Sequence, residues 1–206
     1  MANDNFPRGL FPVNWPNISA HYYRAGTATD IFLGEIVDLT STGYVTNAVA
    51  VTTAGKVAAL GAAVGFAGPL KKGLATDDPF LDASDLTTLA AGLEAGDRWV
   101  LVADDPSQEF IIQGDTGGTL ATIAAIGESA ACIYRGGGSG NTTHGWANLE
   151  LDASSNTAST GQILKIVGLA DVVNVDGTEN TAGENYAKWR VVIQQHRKLQ
   201  GDLGAV

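Results

Sequence analysis

The chain is poor in the residues from which most reactive sites are built. A single cysteine, Cys132, excludes an internal disulfide and a thiolate metal cluster. It lies in the apolar run Ala130-Ala131-Cys132-Ile133 and reads as a small buried hydrophobe. The three histidines, His21, His144 and His196, have no second histidine or carboxylate at metal-ligand spacing, and each is expected to be exposed or to cap local backbone. No serine stands in a Gly-x-Ser-x-Gly elbow, and no Ser/His/Asp set can be assigned roles. Catalytic, cofactor and metal residues are therefore expected to be absent, and the protein is read as non-enzymatic.

Cations are scarce too. Twelve Lys and Arg against 22 Asp and Glu give a net charge of −10, which opposes approach to a polyanion and argues against a direct nucleic-acid partner. No unbroken apolar run reaches roughly 18 residues, and the first residues lack the basic and apolar regions of a signal peptide. The expectation is synthesis in the cytoplasm with no membrane span.

What the chain does have is glycine and short apolar runs. With 45% hydrophobic and 17% charged residues over 206 positions it can bury one core, and 26 glycines favour many turns over long helices. The expected fold is all-β, a single antiparallel β-barrel or β-sandwich, with jelly-roll connections among the options. The plainest strands are residues 98–103 and 109–113, rich in β-branched and aromatic residues and separated by Asp104-Asp105-Pro106-Ser107-Gln108. They read as a hairpin with a wide turn, in which the two Asp side chains bond local backbone. Further strands are expected around residues 31–39, 43–49, 55–65, 129–134, 148–152, 162–169 and 187–193. In residues 33–37 apolar and polar positions alternate, so one face is expected to meet solvent or a partner.

Between residues 68 and 96 the pattern changes to an insertion with a short helix over 81–93. Asp77, Asp78, Asp82 and Asp85 cluster there, but their spacing matches no calcium loop and they read as a solvated acidic loop. The glycine-rich stretch 135–145 lacks the Lys-Ser/Thr of a phosphate cradle and reads as a loop. Residues 1–29 are different again. Pro7, Pro12 and Pro16 forbid a helix, yet the segment is too apolar to stay in water. It reads as an extended N-terminal arm lying on its own domain or on a neighbouring subunit, followed by a β-domain over 30–199 and a tail over 200–206. Its candidate interface residues are Phe6, Leu10, Phe11, Trp15, Tyr22, Tyr23 and Arg24.

The order of short strings, Leu33-Gly34-Glu35-Ile36-Val37-Asp38-Leu39, Leu60-Gly61-Ala62-Ala63-Val64-Gly65, Ala103-Asp104-Asp105-Pro106-Ser107-Gln108-Glu109-Phe110-Ile111-Ile112-Gln113, Ile126-Gly127, Leu149-Glu150-Leu151-Asp152, Leu164-Lys165-Ile166-Val167-Gly168-Leu169 and Val191-Val192-Ile193-Gln194-Gln195-His196, resembles the decoration, or cement, proteins of tailed-bacteriophage capsids. The resemblance implies a cofactor-free β-rich virion protein that sits on the outer capsid surface, contacts the major capsid protein, bridges neighbouring capsomers and self-associates as a dimer or trimer. The insertion at 68–96 has no counterpart in it. A second reading is a glycan- or receptor-binding β-sandwich on a virion fibre or tail, with Trp146, beside His144 and Asn148, as a stacking platform.

Overall fold

The computed structural model describes residues 5, 7–15, 17–26, 30–48, 58–67, 80–81, 98–116, 121–137, 139–157, 161–174 and 177–199. The expected helix over 81–93 lies outside these apart from Leu81, as do Phe6, the 200–206 tail and most of the acidic insertion.

The described chain is all-β. Its strands are β1 (Phe11–Pro12), β2 (Ala20–Arg24), β3 (Ile36–Leu39), β4 (Val45–Asn47), β5 (Gly61–Ala67), β6 (Trp99–Ala103), β7 (Glu109–Gln113), β8 (Ser129–Ala130), β9 (Cys132–Tyr134), β10 (Leu149–Leu151), β11 (Leu164–Leu169) and β12 (Lys188–Ile193). They form two five-stranded antiparallel sheets, ordered β1-β7-β12-β11-β8 and β2-β6-β5-β3-β4, with β9 and β10 as a separate pair. This is a β-sandwich, and the described strands close no barrel. No described helix is long and apolar enough to cross a membrane.

The 98–103 and 109–113 strands form where expected, but they are not a hairpin. β6 is flanked by β2 and β5 in one sheet, and β7 by β1 and β12 in the other. The connector arches across the sandwich. Period-2 alternation shows that each strand has a buried face but not which strand it bonds, and a five-residue polar connector suits either geometry. Both strands direct side chains into one core, where Ala103 meets Phe110, Ile112, Leu164, Ile166, Trp189 and Val191. Full burial of each of the larger of these is worth roughly 1.5–3 kcal/mol. β12 sits in the middle of its sheet between β7 and β11.

The β2–β4 sheet packs a cluster on each face, although β2 leaves Tyr22 exposed. Ile36, Ala62 and Ala103 face the core between the sheets, while Val37, Ala63, Val100 and Val102 face a second cluster with Ile31, Val45, Leu60 and Leu81. The sheet curls around that second cluster until the Gly26 N–H, just past β2, donates to the Val45 carbonyl of β4 at 2.7 Å. Strands buried on both faces carry consecutive apolar residues, as Ile36-Val37 and Ala62-Ala63 do. Glu35 is accordingly not on a solvent face, because it is fully buried.

Candidate functional site

The N-terminal segment lies on its own domain over its described length. Gly9 and Gly34 cross backbone to backbone, both in the left-handed region with φ of 66° and 84°. A Cβ on Gly34 would stand 2.0 Å from the Arg8 carbonyl oxygen, so only glycine permits the crossing. There the Leu10 N–H donates to Gly34 O at 2.8 Å, and the chain continues as β1 on the edge of β7, with the Val13 N–H donating to Glu109 O at 3.0 Å. A turn closed by the Asn17 N–H on Asn14 O at 2.7 Å then places Trp15, half exposed, at its tip.

Beside Trp15 opens a cleft of about 220 Å³ lined by Leu10, Phe11, Pro12, Leu33, Val64 and Trp146, with Gly34 and Ala63 contributing small surfaces. Trp146 is held there by a parallel bridge to Leu33, fixed by the Leu33 N–H on Gly145 O at 2.9 Å and the Ala147 N–H on Leu33 O at 2.8 Å. The Trp146 ring lies 6.4 Å from that of Phe11, and the Arg8 guanidinium sits over it at 5.5 Å. The lining is apolar and drawn from four separate parts of the sequence.

Of the seven expected contact residues, Leu10, Phe11 and Trp15 meet in this cleft. Leu10 is only 1% exposed and forms part of the core, so it shapes the cleft floor instead of presenting a side chain. Tyr22, Tyr23 and Arg24 lie on β2, and their roles diverge. Tyr22 is 55% exposed, Arg24 stacks over Trp99 at 5.4 Å, and Tyr23 turns inward to donate to Asp104. Sequence reasoning missed Leu33 and Val64, which no local pattern sets apart from other strand residues, and assigned Trp146 to a different reading.

The buried carboxylates are held by structural bonds. Asp104, at the exit of β6, accepts from His21 Nδ1 at 2.8 Å, from Lys198 Nζ at 2.7 Å and from the Tyr23 hydroxyl. Burial alone would raise its pKa, but Lys198, Tyr23 and His21 together outweigh it and hold the carboxyl below its ordinary range. Burial, then the Asp104 carboxylate, pushes the Tyr23 phenol up. The expected local bonding belongs to Asp105 alone, which accepts from Ser107 N at 2.8 Å and Ser107 Oγ at 2.7 Å.

Glu35 accepts from Phe32 N and from the Tyr134 hydroxyl, each at 2.9 Å, and burial pushes its pKa up to about 7 despite these bonds. Glu150 on β10 takes Gln113 Nε2 at 2.8 Å and Arg135 Nη1 at 3.2 Å, and burial still raises it. Arg135 and Gln113 also donate to Asn5, tying the start of the described chain to the domain. Cys132 is buried as expected, and burial raises its thiol. Of the histidines, His21 and His144 are exposed, whereas His196 is buried and caps the Lys198 N–H through Nδ1 at 3.2 Å.

No protein-family model matches the chain, and no curated protein matches it.

Proposed function

We propose that the protein is a non-enzymatic virion structural protein that binds the outer surface of an icosahedral phage capsid and cements neighbouring capsomers. The observation that carries this reading is the aromatic cleft. A half-exposed Trp15 on a tight turn beside a preformed apolar hollow has the character of a protein-binding anchor, because indole offers large contact area with little rotamer entropy to lose. The all-β sandwich is compatible with the resemblance on which the reading began. Its partner is the major capsid protein. Self-association into a dimer or trimer belongs to the same reading, since modest contacts repeated on a symmetric shell add through multivalency.

The cleft also weighs against a sugar. Hydroxyl groups need polar partners, the lining offers none among its side chains apart from the indole N–H groups, and the Trp146 ring already carries Arg8 over it.

Trp15→Ala tests the reading. Cosedimentation with preformed empty shells should fall by about thirtyfold or more in affinity, as for a central anchor, while thermal unfolding stays unchanged because the side chain is half exposed. Undiminished shell binding by the variant would refute the assignment. Saturable binding on a glycan array would favour the fibre or tail reading.

A further inference from the structure

The segment that leaves β12 crosses from one sheet to the other and is fastened there by three consecutive residues. His196 forms a parallel bridge with Ala59, secured by the Ala59 N–H on Gln195 O and the Arg197 N–H on Ala59 O, both at 2.8 Å. Arg197 grips Asp38 on β3 through Nε at 2.7 Å and Nη2 at 2.5 Å. Lys198 reaches the buried Asp104 at the end of β6. The three contacts fall on three different parts of the β2–β4 sheet.

His196 is the hinge of this arrangement. Its ring is 1% exposed and its Nδ1 accepts the Lys198 N–H, the bond that turns the chain so that the Lys198 side chain points at Asp104. The Asp104 backbone faces the ring without forming a hydrogen bond of sound geometry to the buried Nε2. A neutral imidazole has one acceptor nitrogen and an imidazolium has none. Protonation therefore turns the Nδ1 contact into two opposed N–H groups and adds a buried cation beside Lys198.

We propose that residues 195–198 form an acid-released clasp with His196 as its sensor, so that mild acid detaches the segment from the β2–β4 sheet while β12 stays paired. The groups facing the clasp are His21 and Tyr23 from β2, Asp38 from β3, Asp104 and Asp105 from the β6 exit, and Arg197 and Lys198 from the segment itself. The carboxylate of Asp104 keeps its charge in mild acid, because its pKa is held below the ordinary range.

The sign of the effect follows from linkage. Burial, then Lys198, lowers the closed-state pKa of His196 below the ordinary value of about 6.5. The neutral form thus favours the clasp, whose stability is full above about 6.5 and lost as pH falls from there to the depressed value.

Amide exchange on the full-length protein, corrected for intrinsic rates, tests this. Protection of the Lys198 amide should drop about tenfold per pH unit below about 6.5, with β12 unchanged, and His196→Gln, which keeps an acceptor but does not titrate, should hold protection flat. Equal loss in that variant, or none in the wild type, overturns the proposal. An independent check on the wild type is the histidine ¹⁵N spectrum at neutral pH, in which Nδ1 of His196 must be unprotonated; a proton on Nδ1 overturns the proposal as well.

Discussion

At the scale of single residues, Glu35 is the most consequential polar group in the core. Its two carboxylate oxygens are bonded, yet removal from water dominates and the folded protein holds its proton more tightly than the unfolded chain, where such a group titrates near 4.5. The sign follows directly. Stability from this group is full below about 4.5 and is lost as pH rises to about 7, a change of about 3 kcal/mol across the window. Glu35→Gln keeps an acceptor for Phe32 without the charge, so urea unfolding should show the variant gaining on the wild type between pH 5 and pH 8. Parallel pH profiles would show that Glu35 titrates alike in the folded and unfolded chain, so that burial does not raise its pKa. Gly34 is the second such residue. Gly34→Ala meets both a positive φ and the Arg8 carbonyl, and should cost about 1–3 kcal/mol from backbone strain before the overlap is counted. Chemical denaturation measures the loss, and limited proteolysis should find residues 8–15 newly accessible.

Among the strands, β1 and β12 matter most for what the surface can do. β1 is two residues long and occurs in the sequence nine residues before β2, yet it belongs to the opposite sheet, so the N-terminal segment fastens the two sheets together. Removing residues 1–17 therefore does more than strip off a contact surface. It takes Leu10 from the core and β1 from the edge of β7, so the truncated domain should unfold at lower denaturant than the full chain. An unchanged midpoint would mean that this segment does not contribute to the core. Trp15→Ala is for that reason the cleaner probe of binding. β12 contributes Trp189, Val191 and Ile193 to the central cluster, and Trp189→Ala should cost about 3–5 kcal/mol in urea unfolding. A cost under about 1 kcal/mol would mean that the core relaxes around the missing indole.

For the molecule as a whole, charge and arrangement point the same way. A net charge of −10 opposes the close approach of like copies, so self-association or attachment to a surface would have to be carried by apolar anchors in a fixed frame. On the reading proposed above, affinity for an intact shell should exceed that for an isolated capsomer by about 10²–10⁴ through multivalency alone, which surface plasmon resonance on both supports would measure. Equal affinities would remove bridging between capsomers from the proposal. The clasp at 195–198 adds a condition to this picture, since it joins the sheets at neutral pH and is weakened by acid.

The amino-acid sequence alone determined the all-β class, the position of most strands, the burial of Cys132 and the apolar character of the N-terminal segment. These follow from period, composition and turn residues, which act over a few positions. Partnership between strands was decided only by the tertiary structure. The connector between β6 and β7 bonds neither strand to the other, so their separation into two sheets depends on neighbours far along the chain. The cleft is the same case, because Trp15, Val64 and Trp146 converge only after Gly9 and Gly34 have crossed. Burial of Glu35, Asp104, Glu150 and His196 was likewise out of local reach. A charged residue reads as solvated until the donors that replace its water, from Tyr134, Lys198 and Arg135, are brought to it from distant parts of the chain.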